Sequence, residues 1–103
     1  MASTTDFSIE LMPEANSDID GILGYISREL CNPEAALGWY DKLTDSLKTL
    51  RQFPEMCPNY KAEKEYRALF VDNYIAFYRI DRGNKRVIIF RVLFGMSDYN
   101  KLL

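Results

Sequence analysis

Three consecutive segments near the C-terminus have the composition of β-strands, and they constrain the fold of this chain most. They are rich in Val, Ile, Phe and Tyr, and they span Tyr66–Val71, Tyr74–Ile80 and Arg86–Phe94. The two linkers between them, Asp72-Asn73 and Asp81–Asn84, have the residue types of hairpin turns. The segments therefore predict a three-stranded antiparallel meander.

The N-terminal half has the periodicity of a short strand followed by two helices. Phe7–Leu11 alternates apolar and polar residues, which is typical of a half-buried strand. Over Pro13–Leu30 the apolar residues recur at helical spacing, so the polar residues between them, including Asp18, are expected to face water. Asn32-Pro33 starts a second helix with a capping side chain and a proline in the first position, and Pro54 ends it. The short connection between the helices predicts an antiparallel helical hairpin.

The order of these elements predicts an α+β fold in one domain, residues 1–103, which is long enough for a single hydrophobic core. A small antiparallel sheet packed on the two helices satisfies this order. Its central strand is Tyr74–Ile80 or Val87–Leu93, because both segments are apolar on both faces. The side chains expected to meet in one core between helices and sheet are Ile22, Ile26, Trp39, Leu43, Leu47, Phe77 and Ile89.

Composition argues against several classes of function. The chain has no histidine, and Cys31 and Cys57 are its only cysteines, so neither zinc-ligand spacing nor a Cys-His dyad is present. No metal site and no cofactor is therefore predicted. No apolar run approaches the length of a membrane span, and the N-terminus lacks the basic and apolar regions of a signal peptide. We therefore expect a cytoplasmic protein.

Charge is unevenly divided along the chain. Residues 1–60 carry four basic and ten acidic side chains, a net charge of −6, while residues 61–103 carry nine basic and five acidic ones, a net charge of +4. The overall charge of −2 is not typical of a protein that binds nucleic acid through its phosphates. The basic half fits either an acidic partner segment or a solvated sheet edge that resists aggregation. The candidate partner-binding residues are Arg67, Arg79, Lys85 and Arg86.

Five motifs, in their order and spacing, resemble the RelE/ParE superfamily, the toxins of type II toxin–antitoxin systems. The motifs are Asn32–Ala36 (NPEAA), Phe53–Met56 (FPEM), Tyr66-Arg67, Asn73–Ile80 and Arg91–Tyr99. The resemblance covers nearly the whole chain, and it implies the α+β fold of that superfamily and a cognate antitoxin as partner. In many members the tail reads HGRRD or YGRRDY, whereas Phe94–Tyr99 reads FGMSDY here, without the two arginines.

The missing arginines bear on the chemistry that the resemblance implies. RelE-type members cut messenger RNA in the ribosome, and this reaction needs a proton acceptor, a proton donor and positive charge near the phosphorane-like transition state. An arginine of those enzymes is replaced here by Ile75, and basic residues of their tail are replaced by Met96 and Ser97. The residues that remain as catalytic candidates are Arg67, Arg91 and Tyr99.

A structural role is favoured over catalysis for Arg67, Arg79 and Arg91, because ion-pair networks commonly account for such residues. Strand alternation places Arg91 on the same face as Val87, Ile89 and Leu93. A charged group on such a face needs a partner or an exposed strand end.

The resemblance therefore implies a toxin nearer the ParE side of the superfamily, whose members act by binding DNA gyrase. A disordered segment of the antitoxin is expected to fold across the toxin, either in the groove of the helical hairpin or as an added strand. Two alternatives stay open. One is a ribosome-dependent endoribonuclease that cuts messenger RNA with Arg67, Arg91 and Tyr99, and the other is a detoxified variant that only binds antitoxin.

Overall fold

The computed structural model describes residues 6–59 and 66–95. Along the chain these residues form β1 (Ser8–Leu11), α1 (Pro13–Gly24), a π-helical turn (Tyr25–Glu29), α2 (Pro33–Gln52), β2 (Arg67–Val71), β3 (Tyr74–Asp81) and β4 (Arg86–Phe94). The predicted order of strand, helix, helix and three strands is confirmed, and every strand boundary lies within one residue of the prediction.

The described strands form one mixed sheet in the order β1-β4-β3-β2. Strands β2, β3 and β4 make the predicted antiparallel meander, and β1 adds to it in parallel beside the first half of β4. Both segments predicted as central strands are therefore inner strands. The β2–β3 hairpin turns at Asp72, whose φ of 56° lies in the left-handed region that such two-residue turns require.

A capping side chain starts α2, and α1 ends earlier than predicted. Asn32 caps α2, because its Oδ1 accepts a hydrogen bond from the backbone N–H of Ala35 at 3.0 Å. The first helix was predicted to run to Leu30, but regular α-helix ends at Gly24 and a π-helical turn follows. Cys31, with a φ of 50°, then reverses the chain into α2.

The main hydrophobic core lies between the helices and one face of the sheet. Trp39 and Leu43 of α2 are buried there against Tyr78 and Ile89 of the inner strands. Trp39 also donates a hydrogen bond from Nε1 to the backbone carbonyl of Val71 at 3.1 Å, so its polar atom is satisfied inside the core. All predicted core residues except Phe77 belong to this cluster.

Phe77 lies on the face of the sheet that points away from the helices, which we call the outer face. It belongs to a second buried cluster together with Ala68, Ile75 and Leu93. The prediction of one core that includes Phe77 is wrong because side chains alternate along a strand, and Tyr78 is the neighbour that points toward the helices. β3 therefore buries apolar side chains on both faces.

A β-bulge in β4 changes the direction of the side chains that follow it. β4 carries one extra residue, Phe90, opposite the step from Phe77 to Tyr78 in β3. As a result Ile89 faces the helices, whereas Leu93 belongs to the outer cluster. The prediction that Arg91 shares a face with both Ile89 and Leu93 is therefore wrong, because a bulge inverts the alternation.

Truncation of the core should destabilise the protein strongly. We expect Ile89→Ala, at a position with no exposed surface, to lower the free energy of unfolding by about 2–5 kcal/mol through lost burial and a residual cavity. Leu37→Ala is the control, because Leu37 is 67% exposed and should change this free energy by about 0.5 kcal/mol or less. Urea denaturation measures both, and equal midpoints for the two variants would contradict the described core.

Candidate functional site

An apolar groove of about 430 Å³ runs between α1 and the C-terminal half of β4. On the α1 side it is lined by Ser17, Asp18, Gly21, Ile22 and the adjoining Tyr25, and on the sheet side by Tyr74, Val92, Leu93 and Phe94. Apart from one serine and one aspartate, the lining consists of glycine, aliphatic and aromatic residues. Such a concave apolar surface is typical of a binding site.

The groove exists because β1 is short. The backbone N–H of Met12 donates to the carbonyl of Ile89 at 2.9 Å, and the chain then turns into α1. Among the described residues, the second half of β4 therefore has no strand neighbour on that side. The helix α1 takes this place, and the groove is the space that remains between helix and strand.

A series of aromatic contacts links the groove to the core. The ring of Tyr74 lies 5.3 Å from the ring of Trp39 and 5.6 Å from that of Phe94, both in edge-to-face geometry. Trp39 is buried, whereas Phe94 is 43% exposed and Tyr25, across the groove, is 51% exposed. Burial raises the pKa of the Tyr74 hydroxyl, and the neighbouring hydroxyl of Tyr25 adds to this effect.

Asp18 closes the open edge of β4 inside the groove. Its Oδ2 accepts hydrogen bonds from the backbone N–H of Val92 at 2.9 Å and from Nε of Arg91 at 2.7 Å, while its Oδ1 accepts from Nη2 of Arg91 at 3.0 Å. The carboxylate thus replaces the carbonyl that a neighbouring strand would supply. The hydrogen bond to Asp18 raises the pKa of the Arg91 guanidinium against the effect of burial, and Glu14 adds to the increase.

The sequence predicted that Arg91 has either a partner or a place at an exposed strand end, and the structure shows a partner, Asp18. The side chain of Arg91 is 24% exposed and that of Asp18 is 16% exposed, so the expectation that Asp18 faces water is wrong. Helical periodicity assigned Asp18 to the polar side of α1 without information on the strand edge beside it. An arginine in an apolar strand indicated that a partner or an exposed strand end was needed, but it did not indicate which residue the partner would be.

Arg67 is engaged at the opposite side of the sheet. Its Nη1 donates to the carbonyl of Cys57 at 2.5 Å, and nearby the buried Tyr78 hydroxyl donates to the carbonyl of Pro54 at 2.8 Å. Burial raises the pKa of Tyr78, and its hydrogen bond with the Cys57 thiol acts in the same direction. These contacts hold the segment after α2 against β2 and β3.

The structure does not bring the catalytic candidates together. Arg67 lies on β2 and Arg91 on β4, with β3 between them, so two strand spacings, about 10 Å, separate their backbones. Tyr99 lies outside the described residues, as do Met96 and Ser97. Ile75, which stands where related ribonucleases have arginine, is 2% exposed within the outer cluster.

Two of the predicted partner-binding residues share a cleft of about 350 Å³ with Asp81. Arg79 is exposed there, whereas Arg86 donates to Glu10 at 2.5 Å and to Asp81 at 2.9 Å. Hydrogen bonds from Asn84 and then from Arg86 lower the pKa of Asp81 to about 2. The charge of Arg86 is thus balanced by two carboxylates.

The other two partner-binding candidates are not part of that cleft. The ammonium of Lys85 lies 5.7 Å from the centre of the Phe7 ring, in cation–π geometry. Arg67, at the far edge strand, lines a separate small cleft with Arg82. The structure therefore does not gather the four cationic candidates into one patch.

Neither a metal centre nor a membrane span is found in the part of the chain that the structure describes. No group of three or more His, Cys, Asp or Glu side chains in residues 6–59 and 66–95 is arranged to hold a metal ion. No helix in those ranges is long and apolar enough to cross a membrane.

The family model described as the ParE toxin of the type II toxin–antitoxin system, parDE, matches residues 9–99 of this sequence. The chain belongs to the ParE toxin family. It is thus a toxin of the type II toxin–antitoxin class, and the resemblance to the RelE/ParE superfamily is confirmed. No curated protein matches the chain significantly in sequence.

Solved structures share the fold of this ParE-family toxin. A chain of the chromosomal ParDE system from P. aeruginosa has a TM-score of 0.72 at 21% identity, over 88% of this chain and 98% of that chain. A chain of the RelBE2 toxin–antitoxin complex from Mycobacterium tuberculosis has a TM-score of 0.58 at 16% identity, over 86% and 98%. A metal-bound toxin from Helicobacter pylori has a TM-score of 0.57 at 15% identity, over 94% and 99%.

The contact between Asp18 and Arg91 should contribute more to stability than an exposed ion pair of the same protein. We expect a double-mutant cycle with Asp18→Ala and Arg91→Ala to give a coupling of about 1.5–3 kcal/mol, because the hydrogen bonds are charged and largely shielded from water. Lys42 and Asp72, whose side chains are 63% and 48% exposed, are the control pair and should couple by about 0–1 kcal/mol. Urea denaturation measures both couplings. Equal coupling energies for the two pairs would show that the partly buried geometry of Asp18 and Arg91 gives no more stability than an exposed ion pair.

Proposed function

We propose that this ParE-family toxin acts by binding a cellular protein, with DNA gyrase as the expected target, and that a cognate antitoxin neutralises it. The observation that carries the proposal is that both arginines available for RNA cleavage are engaged in contacts within the protein. Arg91 is held by Asp18, and Arg67 donates to the carbonyl of Cys57. Both arginines therefore hold the fold together in the described structure.

The alternative chemistry needs groups that converge on one phosphate. Cleavage of RNA by its 2′-hydroxyl requires a base, an acid and cations within hydrogen-bond reach of the reacting atoms. Arg67 and Arg91 are separated by β3, and the position of the third cation in related ribonucleases is the buried Ile75. Since removal of a single transition-state donor typically costs about 10²–10³ in rate, this arrangement favours binding over nuclease activity.

The antitoxin proposal is supported by the exposed apolar side chains of the groove. Tyr25 is 51% exposed and Phe94 is 43% exposed, and both line the groove. Large apolar side chains that cluster at a surface mark interaction sites. A disordered antitoxin segment that folds on binding would remove this surface from water.

Purified wild-type protein should inhibit DNA supercoiling by gyrase, and its expression should arrest growth in a way that additional gyrase relieves. Translating ribosomes incubated with the protein should give no cleaved messenger RNA, as measured by primer extension, because Arg67 and Arg91 are committed to structural contacts. Arg67→Gln is the informative variant, since it tests the edge arginine without removing the Asp18 contact.

Two results would contradict the gyrase proposal. Ribosome-dependent cleavage by the wild type that disappears in Arg67→Gln would assign the protein to the ribonucleases. A harmless wild type that becomes toxic after Met96→Arg with Ser97→Arg would identify a detoxified variant. Retention of growth arrest in Arg67→Gln, without RNA products, is the expected outcome.

Binding of the antitoxin should also depend on salt. An acidic antitoxin segment that covers the cleft of Arg79 and Arg86 would meet the exposed guanidinium of Arg79. Exposed charge pairs are screened over about 8–10 Å at ordinary ionic strength. We therefore expect the affinity to fall as salt is raised and the salt dependence to weaken in Arg79→Ala. Calorimetric titrations with an unchanged dissociation constant at all salt concentrations would remove this part of the proposal.

A further inference from the structure

Gly21 lies inside α1, although glycine weakens the interior of a helix. None of the glycines in the described ranges has a positive φ, so backbone conformation does not require glycine here. A Cβ built at Gly21 would meet no heavy atom within 4 Å, so packing does not require it either. The residue lines the groove, and its missing side chain leaves the groove open on the α1 side.

Gly95 shows what a packing requirement looks like, because a Cβ there would meet the backbone carbonyl of Asn73 at 3.1 Å. A Cβ at Gly24 would meet only the guanidinium of Arg28, at 2.5 Å, and this exposed side chain can move aside. Gly38 of α2 resembles Gly21, because it is exposed and a Cβ there would also meet nothing within 4 Å. Gly38 does not line the groove, which makes it a matched control.

Exposed aromatic rings border the space above Gly21. Tyr25 follows it by one turn of helix, and Phe94 faces it from the sheet. They are 51% and 43% exposed, and an apolar side chain seated between them would shield both from water. The groove therefore fits a bulky aliphatic or aromatic side chain.

The charge at one end of the groove indicates which type of antitoxin residue should lie near the apolar side chain. All charged residues of α1 are acidic, namely Glu14, Asp18 and Asp20. Asp18 is neutralised by Arg91, whereas Glu14 is exposed and lines a polar cleft that continues the groove through Ser17 and Asp18. This cleft has two carboxylates and one guanidinium, so it is complementary to a cation.

The distance between the apolar site at Gly21 and the acidic site at Glu14 follows from helix geometry. Glu14 and Gly21 are two helical turns apart, about 10 Å along the axis. An extended segment spans this distance with about three residues, and a helical segment with about seven.

We propose that Gly21 is the residue of this toxin that determines its specificity for the antitoxin. The antitoxin places a bulky apolar side chain over Gly21, between Tyr25 and Phe94. It places a Lys or Arg about 10 Å away, beside Glu14. This inference rests on the proposed neutralisation by an antitoxin and names the chemistry of the segment that docks here. That segment is distinct from the acidic one expected at Arg79. An antitoxin without this apolar and basic pair binds the groove more weakly.

The test uses the chain of residues 1–103 and, as probe, the purified product of the gene next to its own, which is the antitoxin candidate. Calorimetry with Gly21→Leu should show affinity reduced about 30-fold or more, since the added side chain occupies the position of the anchor. Gly38→Leu should bind within about 3-fold of the wild type. Thermal melts should place both variants at or above the wild-type transition, because each removes a glycine from a helix.

The charge is tested separately by Glu14→Lys. This substitution should weaken binding about 5–10-fold at low salt, and replacing the facing basic residue of the antitoxin with Glu should restore most of the loss. Wild-type affinity in Gly21→Leu, or an equal loss in Gly38→Leu, would overturn the inference while leaving neutralisation intact. An adjoining gene product that does not bind even the wild type would overturn the proposed neutralisation as well.

Discussion

Asp18 binds both the backbone and a side chain of β4, and the arrangement of α1 on the sheet depends on this contact. β1 pairs with β4 only as far as Ile89. The backbone N–H groups on the edge of β4 beyond Ile89 therefore need another hydrogen-bond acceptor. The Asp18 carboxylate supplies it to Val92 and neutralises Arg91 at the same time. A partly buried N–H without an acceptor and a partly buried guanidinium without a partner would each destabilise the fold. The Asp18 carboxylate avoids both of these free-energy costs.

The same contact bears on what the protein does. An arginine held by two hydrogen bonds to a carboxylate is a poor source of charge for a transition state, because it would have to give up its partner first. Arg67 is engaged by the carbonyl of Cys57, and Ile75 is packed in the outer cluster. In the described structure these three positions of the sheet take part in ion pairing, hydrogen bonding and packing. This supports action by protein binding as the proposed mechanism.

The groove follows from the same geometry. A long β1 would have covered the second half of β4, whereas a short one leaves space between α1 and the strand. Tyr25, Gly21 and Phe94 border this space, with Asp18 at its base. The site proposed for the antitoxin therefore lies next to the contact that holds α1 in place, and a partner that binds there would reinforce the packing of the helix on the sheet.

The sequence by itself determined the elements and their order, because alternation, helical spacing, the Asn32 cap and the turn residues are local and leave a pattern in the chain. Five motifs in their order and spacing indicated the family. The sequence also identified Arg91 as a residue that needs a partner or an exposed strand end. Only the tertiary structure decided that Phe77 faces outward, that a bulge at Phe90 inverts the end of β4, and that Asp18 is the partner of Arg91. These features depend on which strand edge lies beside which helix, and residues 73 positions apart carry no local pattern of their contact.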